Sequence, residues 1–102
     1  MLVRMSKQAR ADVLSVVRWW NSNVGNSPTH FLTGMRHAKE RLSETPFVGV
    51  PVAVAGMLNL RRLALLQSRY FIFYEVDESV GQVNVLRVWH MSRGRPPKLP
   101  KR

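Results

Sequence analysis

Three residues near the end of the chain have side chains suited to acid–base chemistry or to binding an anion: Arg87, His90 and Arg93. An imidazole titrates near neutral pH and can act as a general acid or base. A guanidinium group binds phosphate or carboxylate through two parallel hydrogen bonds. The alternatives are a strand-end histidine that hydrogen-bonds the backbone and arginines that are solvated surface charges. Acid–base catalysis also needs partner groups that the sequence alone does not place.

Other kinds of reactive or metal site find no support in the residues present. The chain has no cysteine, which excludes disulfides, thiolate metal sites and a cysteine nucleophile. His30 and His37 are separated by about two helical turns, or ~10 Å of rise, which is too far for one metal ion to bind both without further ligands. We therefore expect neither a metal ion nor a cofactor.

The charge of the chain indicates an acidic or polyanionic partner. Its 102 residues include 16 Lys and Arg against six Asp and Glu, a net charge of +10. Half of this charge lies in residues 91–102, which also contain Pro96, Pro97 and Pro100. Because proline blocks regular structure, we predict a single domain at residues 1–94 and a mobile basic tail at residues 95–102.

No segment of the sequence is predicted to cross a membrane. The longest apolar stretch, residues 47–58, is interrupted by Gly49, Pro51 and Gly56 and is shorter than the ~20 residues that a spanning helix needs. The first seven residues lack the apolar core of a signal peptide. We therefore expect a cytoplasmic protein.

The first half of the chain has the apolar periodicity of two helices. Apolar residues recur at helical spacing over residues 9–20, and Ser6 can cap the start of this helix. A second apolar stripe covers residues 31–42, with Ser27 as the predicted N-cap and Pro28 in the first turn. The short connection between the two stripes predicts an antiparallel helical hairpin.

The second half predicts an antiparallel sheet. The strongest strand patterns are the aromatic and β-branched residues 70–76 and 83–90. Residues 58–66 predict another strand, and residues 2–5 a short edge strand. The alternating valines at residues 48–54 are interrupted by glycine and proline, so we expect an extended loop there. The predicted fold class is α+β in the order β-α-α-β-β-β, with the helical hairpin packed on one face of the sheet.

The face of the sheet opposite the helices is predicted to bind a partner. Two helices can cover only one face of a small sheet, and side chains alternate between faces along a strand. Alternation places these residues on the uncovered face, together with one of the pair Arg61 and Arg62: Phe71, Phe73, Val85, Arg87 and Trp89. Exposed aromatic rings interleaved with arginines are typical of an interaction surface. The alternative is that the loop at residues 47–57 or the tail covers them.

Three segments of the second half resemble RelE/ParE-family toxins, the toxin halves of bacterial type II toxin–antitoxin pairs. They are Arg-Arg-Leu at residues 61–63, Tyr-Phe-Ile-Phe-Tyr-Glu-Val-Asp-Glu at residues 70–78, and Val-Leu-Arg-Val-Trp-His-Met-Ser-Arg at residues 85–93. With the opening strand and the two helices, the resemblance covers roughly residues 2–95. It implies a sheet packed on a helical hairpin and a cognate antitoxin, typically acidic where it binds, in a toxin–antitoxin hetero-oligomer.

The resembled family divides by target. RelE-like members cut mRNA on the ribosome, and ParE-like members inhibit DNA gyrase. Metal-free RNA cleavage needs a base for the 2′-hydroxyl, cations for the phosphorane and an acid for the leaving oxygen. For this alternative, the resemblance implies a catalytic set in this chain: His90, Arg93, Arg87 and Arg61.

The match to the nucleases is partial, so the resemblance favours ParE. Phe71 stands where RelE-like nucleases have an arginine, and Arg61 and Arg62 stay protonated and cannot act as a base. No tyrosine follows Arg93. The lead hypothesis is therefore gyrase inhibition without catalysis; a nontoxic basic nucleic-acid-binding module is a third. In the lead hypothesis there is no catalytic residue, and the partner-binding residues are Phe71, Phe73, Arg87, Trp89 and Arg93.

Overall fold

The computed structural model describes residues 1–54, 56–57 and 59–99. Within these residues the chain forms two helices and one five-stranded sheet. In chain order the elements are β1 (Leu2–Met5), α1 (Lys7–Asn23), α2 (Thr29–Glu44), β2 (Val50–Pro51), β3 (Leu60–Leu65), β4 (Tyr70–Asp77) and β5 (Gln82–His90). The predicted α+β class, with the helical residues packed on one face of the sheet, is confirmed.

Helix α1 begins at the predicted cap. The hydroxyl of Ser6 accepts a hydrogen bond from the backbone N–H of Ala9 at 3.0 Å, which satisfies one of the free donors of the first turn. The same hydroxyl donates to the carbonyl of Leu86 at 2.9 Å. Ser6 therefore both starts the helix and fixes its first turn against β5.

Helix α2 begins one residue later than the predicted cap implies. Pro28 occupies the cap position, and no side chain caps the helix. Ser27 instead accepts the Thr29 N–H through its backbone carbonyl at 2.9 Å, so the predicted side-chain cap is wrong. The predicted apolar stripe is confirmed, because the buried residues of α2 are Phe31, Met35, Ala38 and Leu42. Neither described helix is long and apolar enough to cross a bilayer.

The sheet is mixed, whereas the sequence predicted an antiparallel one. Its strand order is β1-β5-β4-β3-β2. The first strand pairs with β5 in parallel, and the other neighbours are antiparallel. Both helices and three strands separate β1 from β5 along the chain, so no tight turn joins the two strands. The parallel pairing is therefore possible, because strands joined by a tight turn can only be antiparallel. Val50 and Pro51 form a two-residue edge strand where we expected a loop, and an edge is where proline is tolerated.

The core lies between the helices and the sheet face that they cover. Its largest fully buried side chains are Tyr74, Phe31, Leu42, Ile72, Val83 and Val85. Tyr74 is the polar member, and its hydroxyl accepts the Gly49 backbone N–H at 2.8 Å. This contact ties the loop after α2 to the centre of the sheet.

A β-bulge in β5 changes which residues face outward. Phe73 pairs with Arg87 and Tyr74 pairs with Val85, so Leu86 is the extra residue. Val85 is consequently buried in the core at 0% exposure, and its predicted place on the uncovered face is wrong. Leu86 instead packs with Leu60 in a second cluster on the opposite side of the sheet.

Candidate functional site

The sheet face opposite the helices, called the outer face below, carries stacked arginines and aromatic rings. The Arg62 guanidinium lies 4.2 Å from the centre of the Phe71 ring. Those of Arg87 and Arg93 lie 5.0 Å and 4.0 Å from the Trp89 ring. Distances of this size allow cation–π attraction. Phe73 is paired between Arg62 and Arg87 in the sheet, so the five predicted partner-binding residues lie together.

Arg61 and Arg62 face opposite sides of the sheet. Arg61 pairs with the buried Tyr74, and its Nη1 donates to the carbonyls of Phe47 at 2.8 Å and Gly49 at 2.7 Å. Arg61 therefore anchors the loop after α2 on the helix side. The structure does not bring it together with the other three residues of the predicted catalytic set, and Arg62 is the member of the pair on the outer face.

The outer face is covered in part by the chain itself. Phe73 and Trp89 are only 5% and 8% exposed, and Phe71 is partly buried. The expectation of a bare face is therefore wrong for Phe73 and Trp89. A second apolar cluster on this face joins the loop before β3, the sheet and the tail: Val52, Met57, Leu60, Leu86 and Leu99. The tail also contacts the Trp89 indole, whose Nε1 donates to the Arg95 carbonyl. Residues 100–102 of the predicted mobile tail lie outside the described residues, and its mobility stays a prediction.

A cleft of about 750 Å³ opens beside the outer face, between α1 and the end of β5. It brings together three of the four residues of the predicted catalytic set, since Arg61 is absent. The side chains that give it its character are Asp12, Trp19, Tyr70, Arg87, His90 and Arg93. The cleft is therefore cationic and aromatic, with one carboxylate.

That carboxylate engages Arg87. Asp12 accepts hydrogen bonds from Arg87 Nε at 2.8 Å and Nη2 at 3.1 Å. It also accepts the backbone N–H of Val88 at 2.9 Å. The pairing with β1 ends at Val85, so Asp12 satisfies a donor on the open edge of β5. Arg87 Nη1 donates to the Lys98 carbonyl at 3.2 Å, so every nitrogen of this guanidinium is engaged.

Sequence reasoning missed Asp12. The available signal was charge, because Asp12 is the sole acidic residue among the first 39 of a strongly basic chain. An isolated acid on a helix is usually a solvated side chain, and helical periodicity does not show that a strand edge lies opposite it. Its importance follows only from the tertiary structure.

His90 is a strand-end histidine that bonds the backbone. Its Nδ1 lies 3.0 Å from the backbone nitrogen of Ser92 and 2.7 Å from the Ser92 hydroxyl. A backbone N–H only donates, so Nδ1 is the acceptor and the neutral ring carries its proton on Nε2. The ring also packs edge-on against Tyr70, with centres 4.8 Å apart. The basic nitrogen is therefore occupied and does not point at a free site.

Tyr70 supplies a protonated hydroxyl to the cleft. Burial raises the pKa of Tyr70 above its ordinary value of 10.0, and the positive charge of Arg93 offsets this increase in part. Phe31 packs on the ring, with centres 4.9 Å apart. The hydroxyl consequently stays protonated at neutral pH and can donate a hydrogen bond, but it cannot act as a base.

The sequence matches the family described as the ParE toxin of the type II toxin–antitoxin system, parDE, over residues 3–95. The chain belongs to the ParE toxin family. The resemblance to RelE/ParE toxins predicted from the strands is thereby confirmed. No curated protein matches the chain in sequence.

The solved structures that share the fold of this ParE-family chain include two from toxin–antitoxin systems. One is the toxin–antitoxin complex RelBE2 from Mycobacterium tuberculosis, with a TM-score of 0.64 and 23% identity, covering 87% of this chain and 95% of that chain. The other is the chromosomal ParDE system from P. aeruginosa, with a TM-score of 0.64 and 20% identity, covering 90% and 97%. At these identities the likeness concerns the fold alone.

Proposed function

We propose that this ParE-family chain is a toxin that inhibits DNA gyrase in the cytoplasm by binding alone, and that an acidic antitoxin neutralises it. The supporting observation is that the reactive side chains of the cleft already have partners. Arg87 is held by Asp12, and the basic nitrogen of His90 accepts the Ser92 N–H. Arg93 lies over Trp89. This arrangement suits a rigid surface better than a reaction centre.

A second support is the lack of a free general base among the described residues of the cleft. RNA cleavage without a metal needs a base that takes the proton of the 2′-hydroxyl. His90 would have to release the Ser92 N–H before it could accept that proton. Tyr70 is protonated, and the Asp12 carboxylate is occupied by Arg87 and Val88. Gyrase as the target comes from the resemblance to ParE-like toxins.

Charge and fold likeness support an antitoxin as the partner. The net charge of +10 favours association with an acidic chain and would accelerate it at low salt. Both similar solved structures come from toxin–antitoxin systems. We assign the interaction to the predicted residues Phe71, Phe73, Arg87, Trp89 and Arg93. Arg93 is exposed, whereas the buried Phe73 and Trp89 become accessible only if the covering segments move.

The experiment is a supercoiling assay with purified chain and gyrase, run beside translation of an mRNA on ribosomes. We expect supercoiling to be inhibited and the mRNA to stay intact. His90→Ala should leave the inhibition unchanged, whereas Arg93→Ala should weaken it. Arg36→Ala, which removes the same charge from an exposed position of α2, is the matched control and should resemble the unsubstituted chain. Full supercoiling in the presence of excess chain would refute the gyrase proposal.

One observation favours mRNA cleavage as the second candidate function. Arg87, His90 and Arg93 do converge in one cleft of about 750 Å³. Codon-phased cuts in mRNA on ribosomes, lost in His90→Ala, would establish this function and overturn the lead. Growth of cells that express the chain alone or with its antitoxin separates both toxin hypotheses from a nontoxic nucleic-acid-binding module. For such a module, neither condition would inhibit growth.

A further inference from the structure

We propose that residues 95–99, called the plug below, occupy a peptide-binding groove on the outer face of the same molecule, and that a ligand of this groove must displace them. The groove is lined by Trp89, Arg87, Leu86, Leu60 and Met57. The plug reads Arg-Pro-Pro-Lys-Leu and follows the domain directly, so its short tether keeps it close to the groove.

Two side chains of the groove hold the backbone of the plug. Trp89 Nε1 donates to the Arg95 carbonyl at 3.0 Å, and Arg87 Nη1 donates to the Lys98 carbonyl at 3.2 Å. These carbonyls are three residues apart, which is one turn of a polyproline II helix, or ~9 Å. Carbonyls at this spacing point to the same side of such a helix. The two donors therefore recognise the period of an extended proline-rich segment.

Apolar contacts complete the docking. Pro97 is buried, and Leu99 packs against the cluster that contains Leu60 and Leu86. A proline-rich segment is already extended before it binds, so its docking costs less backbone conformational entropy than the docking of a flexible segment. An aromatic groove with an indole donor is also the general form of sites that bind such segments. Hydrogen bonds and apolar contacts therefore both hold the plug in the groove.

The charges of the plug oppose its docking. Arg95 and Lys98 contribute carbonyls to the groove, and their positive side chains are exposed. Arg87 and Arg93, both stacked on Trp89, give the groove a charge of the same sign. A segment with the same backbone but with carboxylates at these two positions would gain attraction instead of repulsion. The favoured competitor is therefore an extended acidic segment with an apolar anchor. That identity rests on the proposed function, whereas docking of the plug does not.

The test follows hydrogen exchange of the tryptophan indoles by NMR in the full chain. Trp19 is 58% exposed and serves as the internal reference for an open indole. In the unsubstituted chain, we expect the Trp89 indole to exchange at least about tenfold more slowly than that of Trp19. Leu99→Asp should remove most of this difference while the amides of β4 stay protected. Leu66→Asp, at a leucine that is 79% exposed, is the matched control and should change neither indole.

Three results would overturn the proposal. Equal exchange of the Trp89 and Trp19 indoles would show that the groove is empty. The absence of any effect of Leu99→Asp would show that the plug does not protect the Trp89 indole. Protection that declines on dilution would place a second copy in the groove. If Leu99→Asp exposes the β4 amides, Pro97→Gly is used in its place. That substitution makes the plug flexible without placing a charge in the apolar cluster. Neither gyrase nor antitoxin enters this measurement, so its failure leaves the proposed function standing, and a failed supercoiling assay leaves the plug standing.

Discussion

Replacing Asp12 with alanine should lower the free energy of unfolding by about 3 kcal/mol. The carboxylate accepts two hydrogen bonds from Arg87 and one from the backbone N–H of Val88. The Arg87 and Asp12 side chains are only 16% and 18% exposed, so solvent screens this pair less than a surface pair. A charged hydrogen-bonded contact of this kind contributes about 1.5–3 kcal/mol, and an orphaned amide costs about 1–3 kcal/mol more.

A double-mutant cycle isolates the contribution of the pair. Arg87→Ala and the doubly substituted chain complete the cycle, and the coupling energy between Asp12 and Arg87 should be about 1.5–2 kcal/mol. The measurement is urea unfolding near neutral pH followed by circular dichroism, with the slope against urea compared between variants. Glu40→Ala removes an exposed carboxylate from α2 and should change the stability by less than about 0.5 kcal/mol.

A coupling energy below about 0.5 kcal/mol would refute this reasoning, because values that small are typical of solvated surface pairs. Arg87 would then be free to bind a phosphate, and one support of a noncatalytic cleft would be lost. Loss of stability in Asp12→Ala without coupling to Arg87 would assign the role of the carboxylate to the Val88 amide alone. The cycle therefore also tests whether Asp12 holds Arg87, which is one of the observations that support the proposed function.

Two further predictions concern glycine positions and the pKa of two tyrosines. Gly49→Ala should destabilise the chain by about 2 kcal/mol in thermal unfolding, because a Cβ there would lie 2.6 Å from the Tyr74 hydroxyl and 2.8 Å from the Arg62 carbonyl. Gly34→Ala in α2, whose Cβ would lie 3.8 Å from Leu65, should instead add up to about 1 kcal/mol; similar melting of the two variants would contradict this. Burial raises the pKa of Tyr70 and Tyr74 above 10.0, so the folded state keeps protons that the unfolded state loses. Stability should be complete below about pH 10 and fall as the pH rises further, and Tyr70→Phe should show a smaller fall in urea unfolding.

Local patterns predicted the elements well where each pattern has one physical cause. The apolar stripe of α2 is buried as its spacing requires, and the Ser6 cap forms because its hydroxyl can reach the Ala9 amide. The Ser27 cap failed because Pro28 takes the cap position and the helix begins at Thr29, which leaves the serine one residue too early. Helices and strands can thus be predicted from apolar spacing and residue composition. The choice between adjacent capping residues depends instead on the conformation of the preceding loop.

The candidate site was less predictable, because its contacts join distant parts of the chain. Arg87 and Asp12 are 75 residues apart, and no local pattern connects them. The composition of the tail does not reveal that an indole donor lies opposite the Arg95 carbonyl. The choice between Arg61 and Arg62 for the outer face needed the sheet register, which a strand pattern that is charged on both faces does not fix.

The bulge at Leu86 explains why one strand serves both the core and the candidate site. Val83 and Val85 are fully buried on the helix side, and strict alternation from them would also turn Arg87 and Trp89 toward the helices. The extra residue reverses the alternation, so Arg87 pairs with Phe73 on the outer face. Beyond the bulge, β1 no longer pairs with β5, which leaves the Val88 amide open to the carboxylate on α1. A single inserted residue therefore places the arginine, its counter-ion and the indole of the groove at one end of the sheet, where bulges commonly redirect functional side chains.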